Sequence, residues 1–120
     1  MKSVLIVDDS IVSRKMLAKL IESSGYTVAS QAINGKEALE LYKKLSPDVV
    51  TMDITMPEMN GIDALKMIRE YDSDAKVVII SAAGQAEKKQ QAMEAGAAGF
   101  VTKPYDNQDI LDAIAKCFED

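Results

Sequence analysis

Residues 49–61 read Val49-Val50-Thr51-Met52-Asp53-Ile54-Thr55-Met56-Pro57-Glu58-Met59-Asn60-Gly61. A short apolar run rich in β-branched residues stops at a carboxylate, Asp53, and a Pro-bearing loop follows it. After Gly61 a helical pattern opens with Ile62, Leu65 and Ile68. A strand that ends in an acid, with a loop just beyond, is how open α/β sheets build ligand sites. Asp53 is therefore the candidate working residue, and the remaining elements are read for how they position it. Asn60-Gly61 reads as a tight turn. Met52, Met56 and Met59 read as core or loop packing.

Outward from that stretch the same alternation recurs. Val4 to Val7 is an apolar run of the kind buried on both faces of a parallel sheet, and it ends in Asp8-Asp9 and Ser10. Val12, Met16 and Leu20, with Leu17 and Ile21, mark an amphipathic helix that stops at Gly25. Thr27 to Ala32 is a less apolar strand; Asn34 can cap a helix with the stripe Ala38, Leu41, Tyr42 and Leu45, which Pro47 closes. Beyond the third helix, Lys76 to Ile80 is a strand ending at Ser81, followed by the small-residue loop 82–85. A polar helix spans about 87–95, with Gly96 as its stop. Phe100 to Thr102 is a short strand ending at Lys103-Pro104, and Ile110, Leu111, Ile114 and Phe118 mark the last helix, with Cys117 a small buried hydrophobe. Five strands alternating with five helices over short connections imply a parallel sheet covered on both faces. One domain fills residues 1–120.

Composition narrows the chemistry. At 120 residues the chain is long enough for a real core. A net charge of −5 argues against nucleic acid as the main partner, because phosphate backbones bind basic surfaces. No apolar run approaches a membrane span, and Met1-Lys2-Ser3 leads straight into a strand rather than a signal peptide. A single cysteine cannot form an internal disulfide, which fits a reducing cytoplasm. Histidine is absent, which removes imidazole ligands and Ser-His or Cys-His pairs.

Aligning the strand ends gives the informative pattern. Asp8-Asp9, Asp53, Ser81 and Lys103 each close a strand of one parallel sheet, so these groups converge in one crevice. Three neighbouring carboxylates raise each other's pKa unless a cation joins them. Hard oxygen ligands without His or Cys select Mg²⁺. A carboxylate beside Mg²⁺ and a lysine can attack phosphorus, giving an acyl phosphate on Asp53. Each element alone has a plainer reading. Asp8-Asp9 can be a helix-capping pair, Asp53 a turn acid, Ser81 a strand-end hydroxyl and Lys103 a solvated charge. Their joint placement favours the site. The polar run Glu87–Gln91 reads as a solvated helix face, with a partner surface as the second reading.

The chain resembles, over its full length, the receiver domain of bacterial two-component response regulators. Asp8-Asp9 after the first strand, residues 52–61 around Asp53, Ser81-Ala82, and Lys103-Pro104-Tyr105 carry the resemblance as an ordered set. Residues 51–61 look most like the stand-alone chemotaxis (CheY-like) regulators. The resemblance implies a flavodoxin-like, doubly wound five-stranded sheet of order 2-1-3-4-5. That order is taken over from the family, whose chemotaxis regulators are a standard illustration of it.

It also implies roles. Asp53 would accept phosphate from a sensor histidine kinase. Asp9, Asp53 and the Thr55 backbone carbonyl would ligate Mg²⁺, with Asp8 acting through metal-bound water. Lys103 would bind a phosphoryl oxygen, with a cis peptide to Pro104. Ser81 would be the hydroxyl switch and Phe100 the aromatic one, although an ordinary strand aromatic explains Phe100 equally well. Thr55 and Ala83 would influence how fast water removes the phosphate. Such a protein catalyses its own phosphorylation and dephosphorylation without being a dedicated enzyme. Its signal would leave through the surface of the fourth helix, fifth strand and fifth helix to a protein such as the flagellar motor switch. A phosphatase is a further candidate partner, and neither DNA nor membrane is expected.

Alternatives remain at this level. The chain could serve another phosphorelay or be a receiver cut from a longer regulator. A Mg²⁺-dependent aspartyl phosphatase of haloacid dehalogenase type also uses Asp and Lys at strand ends, but needs a second acid where Thr55 stands. A flavodoxin-like electron carrier lacks its phosphate loop after the first strand.

Overall fold

The computed structural model describes residues 2–56, 59–82 and 86–119. Pro57, Glu58, Ala83, Gly84 and Gln85, which the sequence reading placed in the two site loops, lie outside the described residues. The chain runs β1 (Ser3–Val7), α1 (Ile11–Ser23), β2 (Thr27–Ala32), α2 (Gly35–Leu45), β3 (Val49–Asp53), α3 (Gly61–Tyr71), β4 (Val77–Ser81), α4 (Ala86–Glu94), β5 (Gly99–Thr102) and α5 (Asn107–Lys116). All pairings in the sheet are parallel and its order is β2-β1-β3-β4-β5. The flavodoxin-like architecture expected from the sequence is present.

Period-two alternation explains how one sheet serves two cores. Leu5, Val7, Val50, Met52, Val77 and Ile79 point to one face and pack with Ala38, Tyr42, Ile62, Leu65 and Ile68 of α2 and α3 and Ala92 of α4. Val4, Ile6, Val49, Val78, Ile80 and Val101 point to the other and pack with Leu17 and Ile21 of α1 and Ile110 and Ile114 of α5. Because both faces are covered, β3 and β4 are buried along their whole length. Cys117 is buried in the second core, as expected.

Capping fixes the helix starts at the loops that matter. Ser10 accepts the Ser13 N–H at 3.3 Å, Asn34 the Glu37 N–H at 2.8 Å and Asn60 the Asp63 N–H at 2.9 Å, each satisfying an otherwise orphan donor. Asn60-Gly61 is therefore a helix N-terminus and not the tight turn its composition suggests. Gly61 is required for a steric reason. A Cβ there would collide with the Asp53 carbonyl oxygen and lie 2.9 Å from Ile54 Cα. The Gly61 N–H donates to the Ile54 carbonyl at 2.9 Å, closing the loop below Asp53.

The apolar stripe of α1 also divides differently. Leu17 and Ile21 face the core, whereas Val12 and Met16 are 63% and 66% exposed. Ala18, buried beside Leu17, takes their place and keeps the inward face narrow. On α2, Leu45 is likewise exposed and the helix ends one residue before Pro47, at Ser46, in a left-handed conformation with φ 46°.

Candidate phosphoacceptor and metal site

The register of the sheet sets the site. Val7 pairs with Met52, so Asp8 emerges level with Asp53 at the junction of β1 and β3. This is the topological switch point of the strand order, where open α/β sheets leave a crevice. One carboxylate oxygen from each of Asp8, Asp9 and Asp53 lies within 4.8 Å of the others. Asp8 and Asp53 are buried and Asp9 is exposed. Lys103, immediately past β5, places Nζ 3.9 Å from Asp53 Oδ1. Ser81 is buried at the end of β4, between the strands that deliver Asp53 and Lys103, and its carbonyl accepts the Lys103 N–H at 2.7 Å. The Lys103–Pro104 peptide is cis, as expected.

The capping reading of Asp8-Asp9 does not hold, because Ser10 is the N-cap of α1 and no acid stands in its first turn. Asp8 is instead tied down on three sides. Its N–H donates to the Ala32 carbonyl at 3.0 Å, its Oδ1 accepts the Ser10 N–H at 2.8 Å, and its carbonyl accepts from Arg14 at 2.8 Å.

The electrostatics are those of an acid cluster short of positive charge. Burial pushes the Asp53 carboxyl from the usual 3.8 up to about 6. The Lys103 ammonium pulls it back, Asp8 and Asp9 push it further up, and the Ile54 N–H lowers it. Burial also raises the Tyr105 hydroxyl, helped by the charges of Asp8 and Asp53. Three close carboxylates, with no nitrogen or sulfur donor among them, suit a hard divalent cation, and Mg²⁺ fits that donor set.

Thr55 is exposed beyond Asp53 and borders a groove of about 340 Å³ shared with Asp63, Lys66, Lys88 and Gln91. Phe100 is half-buried against the first core and also lines an open groove of about 570 Å³ between α4, β5 and α5. Sequence reasoning missed Arg14, and quoted Tyr105 only within the motif Lys103-Pro104-Tyr105, without a role. A lone arginine six residues past Asp8, one turn into α1, was the available signal for the first.

Against this geometry, comparison with known proteins is direct. The response regulator receiver domain model matches residues 4–115, and the chain belongs to that family. Within it the chain is a receiver of the CheY-like kind. It is 51% identical over 115 residues to the chemotaxis protein CheY of Thermotoga maritima, covering 96% of each chain. It is 46% identical over 113 residues to CheY of Bacillus subtilis, covering 94% of each. Among solved structures it is similar to the Borrelia burgdorferi CheX-CheY-BeF3-Mg²⁺ complex, with TM-score 0.95, 38% identity, and coverage of 99% of this chain and 90% of that one. Phosphorylation and Mg²⁺ are general to the family, and a receiver of the CheY type is a signalling protein rather than a dedicated enzyme. Among the described residues no helix is long and apolar enough to cross a membrane.

Proposed function

We propose that Asp53 is the phosphoacceptor of a chemotaxis response regulator whose receiver unit is the whole of residues 1–120. The observation that carries this reading is the meeting of Asp8, Asp9 and Asp53 within 4.8 Å, with Lys103 3.9 Å from Asp53. A carboxylate oxygen of Asp53 attacks the phosphorus of a sensor kinase's phosphohistidine. The P–N bond breaks, and the imidazole leaves with the electron pair and takes up a proton. Asp9, Asp53 and the Thr55 carbonyl would hold Mg²⁺, and Asp8 would act through water. A bound Mg²⁺ supplies positive charge beside the transferring oxygens. Lys103 contributes the second positive group, held in place by its backbone bond to Ser81. The Borrelia relative bound to BeF3 and Mg²⁺ supports the metal assignment. The protein catalyses its own phosphorylation from such donors and its own dephosphorylation.

Once phosphorylated, Asp53 carries about two negative charges. The Ser81 hydroxyl is drawn to them, the end of β4 shifts, and Phe100 turns inward from its half-buried position. The α4-β5-α5 groove then changes shape, as a shift between two packings. A flagellar motor switch protein is the proposed target and a sensor histidine kinase the proposed donor. The CheX partner of the Borrelia relative supports a further protein partner of that type. A cytoplasmic setting for all of them agrees with the single cysteine of this chain.

Acetyl phosphate labelling followed by intact-protein mass spectrometry tests the core claim. Wild type should gain one phosphoryl group only with Mg²⁺, and Asp53→Asn should gain none. Equal labelling of the two would remove Asp53 from its role.

A further inference from the structure

Asp9 is the exposed member of the acidic cluster, yet its position is set from both sides. Before it, the Asp8 carbonyl accepts from Arg14 Nη1 at 2.8 Å. After it, the Ser10 N–H donates to Asp8 Oδ1 at 2.8 Å, and the Ser10 carbonyl accepts the Arg14 N–H at 3.0 Å. These three bonds form a closed ring from Asp8 through Ser10 to Arg14 and back, with Asp9 inside it. We propose that Arg14 is a positioning residue for the acidic cluster, its guanidinium fixing the turn that carries Asp8 and Asp9 toward Asp53. The inference rests on the Mg²⁺ reading given above.

Two physical effects of Arg14 on a dication have opposite signs, which makes the claim decidable. As a nearby cation, Arg14 repels Mg²⁺, so losing it should tighten binding. As a charge-assisted donor holding the ligand turn, it pre-orders the carboxylates, and losing it should weaken binding. Arg14 bonds the Asp8 main chain directly at 2.8 Å and not a carboxylate that would face the ion, so ordering outweighs repulsion.

Titration calorimetry with MgCl2 on wild type, Arg14→Ala, Arg14→Gln and Lys15→Ala tests this, with thermal midpoints in EDTA reporting which variants are folded. Arg14→Ala should bind Mg²⁺ about tenfold more weakly. Arg14→Gln should weaken in the same direction and carries the test if the alanine variant does not fold. Lys15 is exposed on the same helix, and Lys15→Ala should match wild type or bind slightly tighter. Equal or tighter binding by a folded Arg14 variant would overturn the proposal while leaving the metal site intact. Wild type that binds no Mg²⁺ would overturn both.

Discussion

The Lys103 ammonium reaches Asp53 across an intervening strand. The two residues close β5 and β3, β4 lies between them, and Nζ still stands 3.9 Å from Oδ1. Because Lys103 lowers the Asp53 pKa, Lys103→Ala should raise it further above about 6. It should also slow acetyl phosphate labelling by about a hundredfold, the scale expected when a positive group facing a charged transition state is removed. Mg²⁺ binding should persist, since Lys103 is no part of the acidic cluster. Initial labelling rates at saturating Mg²⁺ check this, and a rate equal to wild type would show that the amine takes no part.

Asp53 costs the metal-free fold stability. Its folded pKa of about 6 exceeds its ordinary 3.8, so the folded state holds a proton that the unfolded chain has released. Stability in EDTA should therefore fall as pH rises from about 4 to about 6 and then level off. The difference is worth about 2 to 3 kcal/mol at 1.36 kcal/mol per pH unit. Asp53→Asn should lose that slope and be the more stable protein at pH 7 without metal. Urea midpoints across this range decide the matter, and a slope of the opposite sign would contradict the cluster's electrostatics.

Gly61 sits where no side chain fits, since its Cβ would strike the Asp53 carbonyl oxygen and the Ile54 backbone. Backbone cannot move aside as a flexible side chain can. Gly61→Ala should cost roughly 2 to 3 kcal/mol, a large overpacking effect, and should also slow labelling by displacing Asp53. Urea unfolding measures the first and acetyl phosphate rates the second. An alanine variant as stable as wild type would show that the loop has room to open.

Much of this site is legible along the chain because the β strands are short, doubly buried runs that stop at polar residues. Asp8, Asp53, Ser81 and Lys103 announce themselves as strand ends, and a parallel sheet brings strand ends together whatever the details of packing. Less legible is anything set by side chains returning from a neighbouring element. Arg14 folds back to Asp8 from within α1, and its long, flexible chain gives no periodic signal. Val12 and Met16 share the helical spacing of Leu17 and Ile21 closely enough that sequence could not say which half faces the core. Asn60-Gly61 carries the composition of a turn, and only the closeness of Asp53 shows why Gly opens a helix there.

Thr51 is fully buried in β3, two residues before Asp53 and on the same face. It is flanked in the sheet by Ile6 and Val78, and its Oγ1 has no hydrogen-bond partner among the described residues. Burying an unpaired hydroxyl carries a desolvation penalty that an isosteric apolar group avoids. Thr51→Val should therefore stabilise the fold by about 1 kcal/mol, with Mg²⁺ affinity unchanged. Urea unfolding tests it, and a destabilised valine variant would show that the hydroxyl is satisfied in solution.

Tyr42 and Asp72 form a bond whose pH limits are set by both partners. The Tyr42 hydroxyl donates to Asp72 Oδ2 at 2.7 Å, linking α2 to the end of α3. Burial, and then this bond, raises Tyr42 above its usual 10, while the bond is the main cause that lowers Asp72 below 3.8. A raised tyrosine contributes stability that is fully present below about pH 10 and is lost as pH climbs through its folded value. A depressed carboxylate contributes stability that is present above about pH 4 and is lost as pH falls through its folded value. Tyr42→Phe should thus lower the urea midpoint by a constant amount between about pH 4 and pH 10, and by less at either extreme. Midpoints of the two proteins at acid, neutral and alkaline pH provide the check. A gap that changes across the neutral range would mean that a group other than this pair governs the junction.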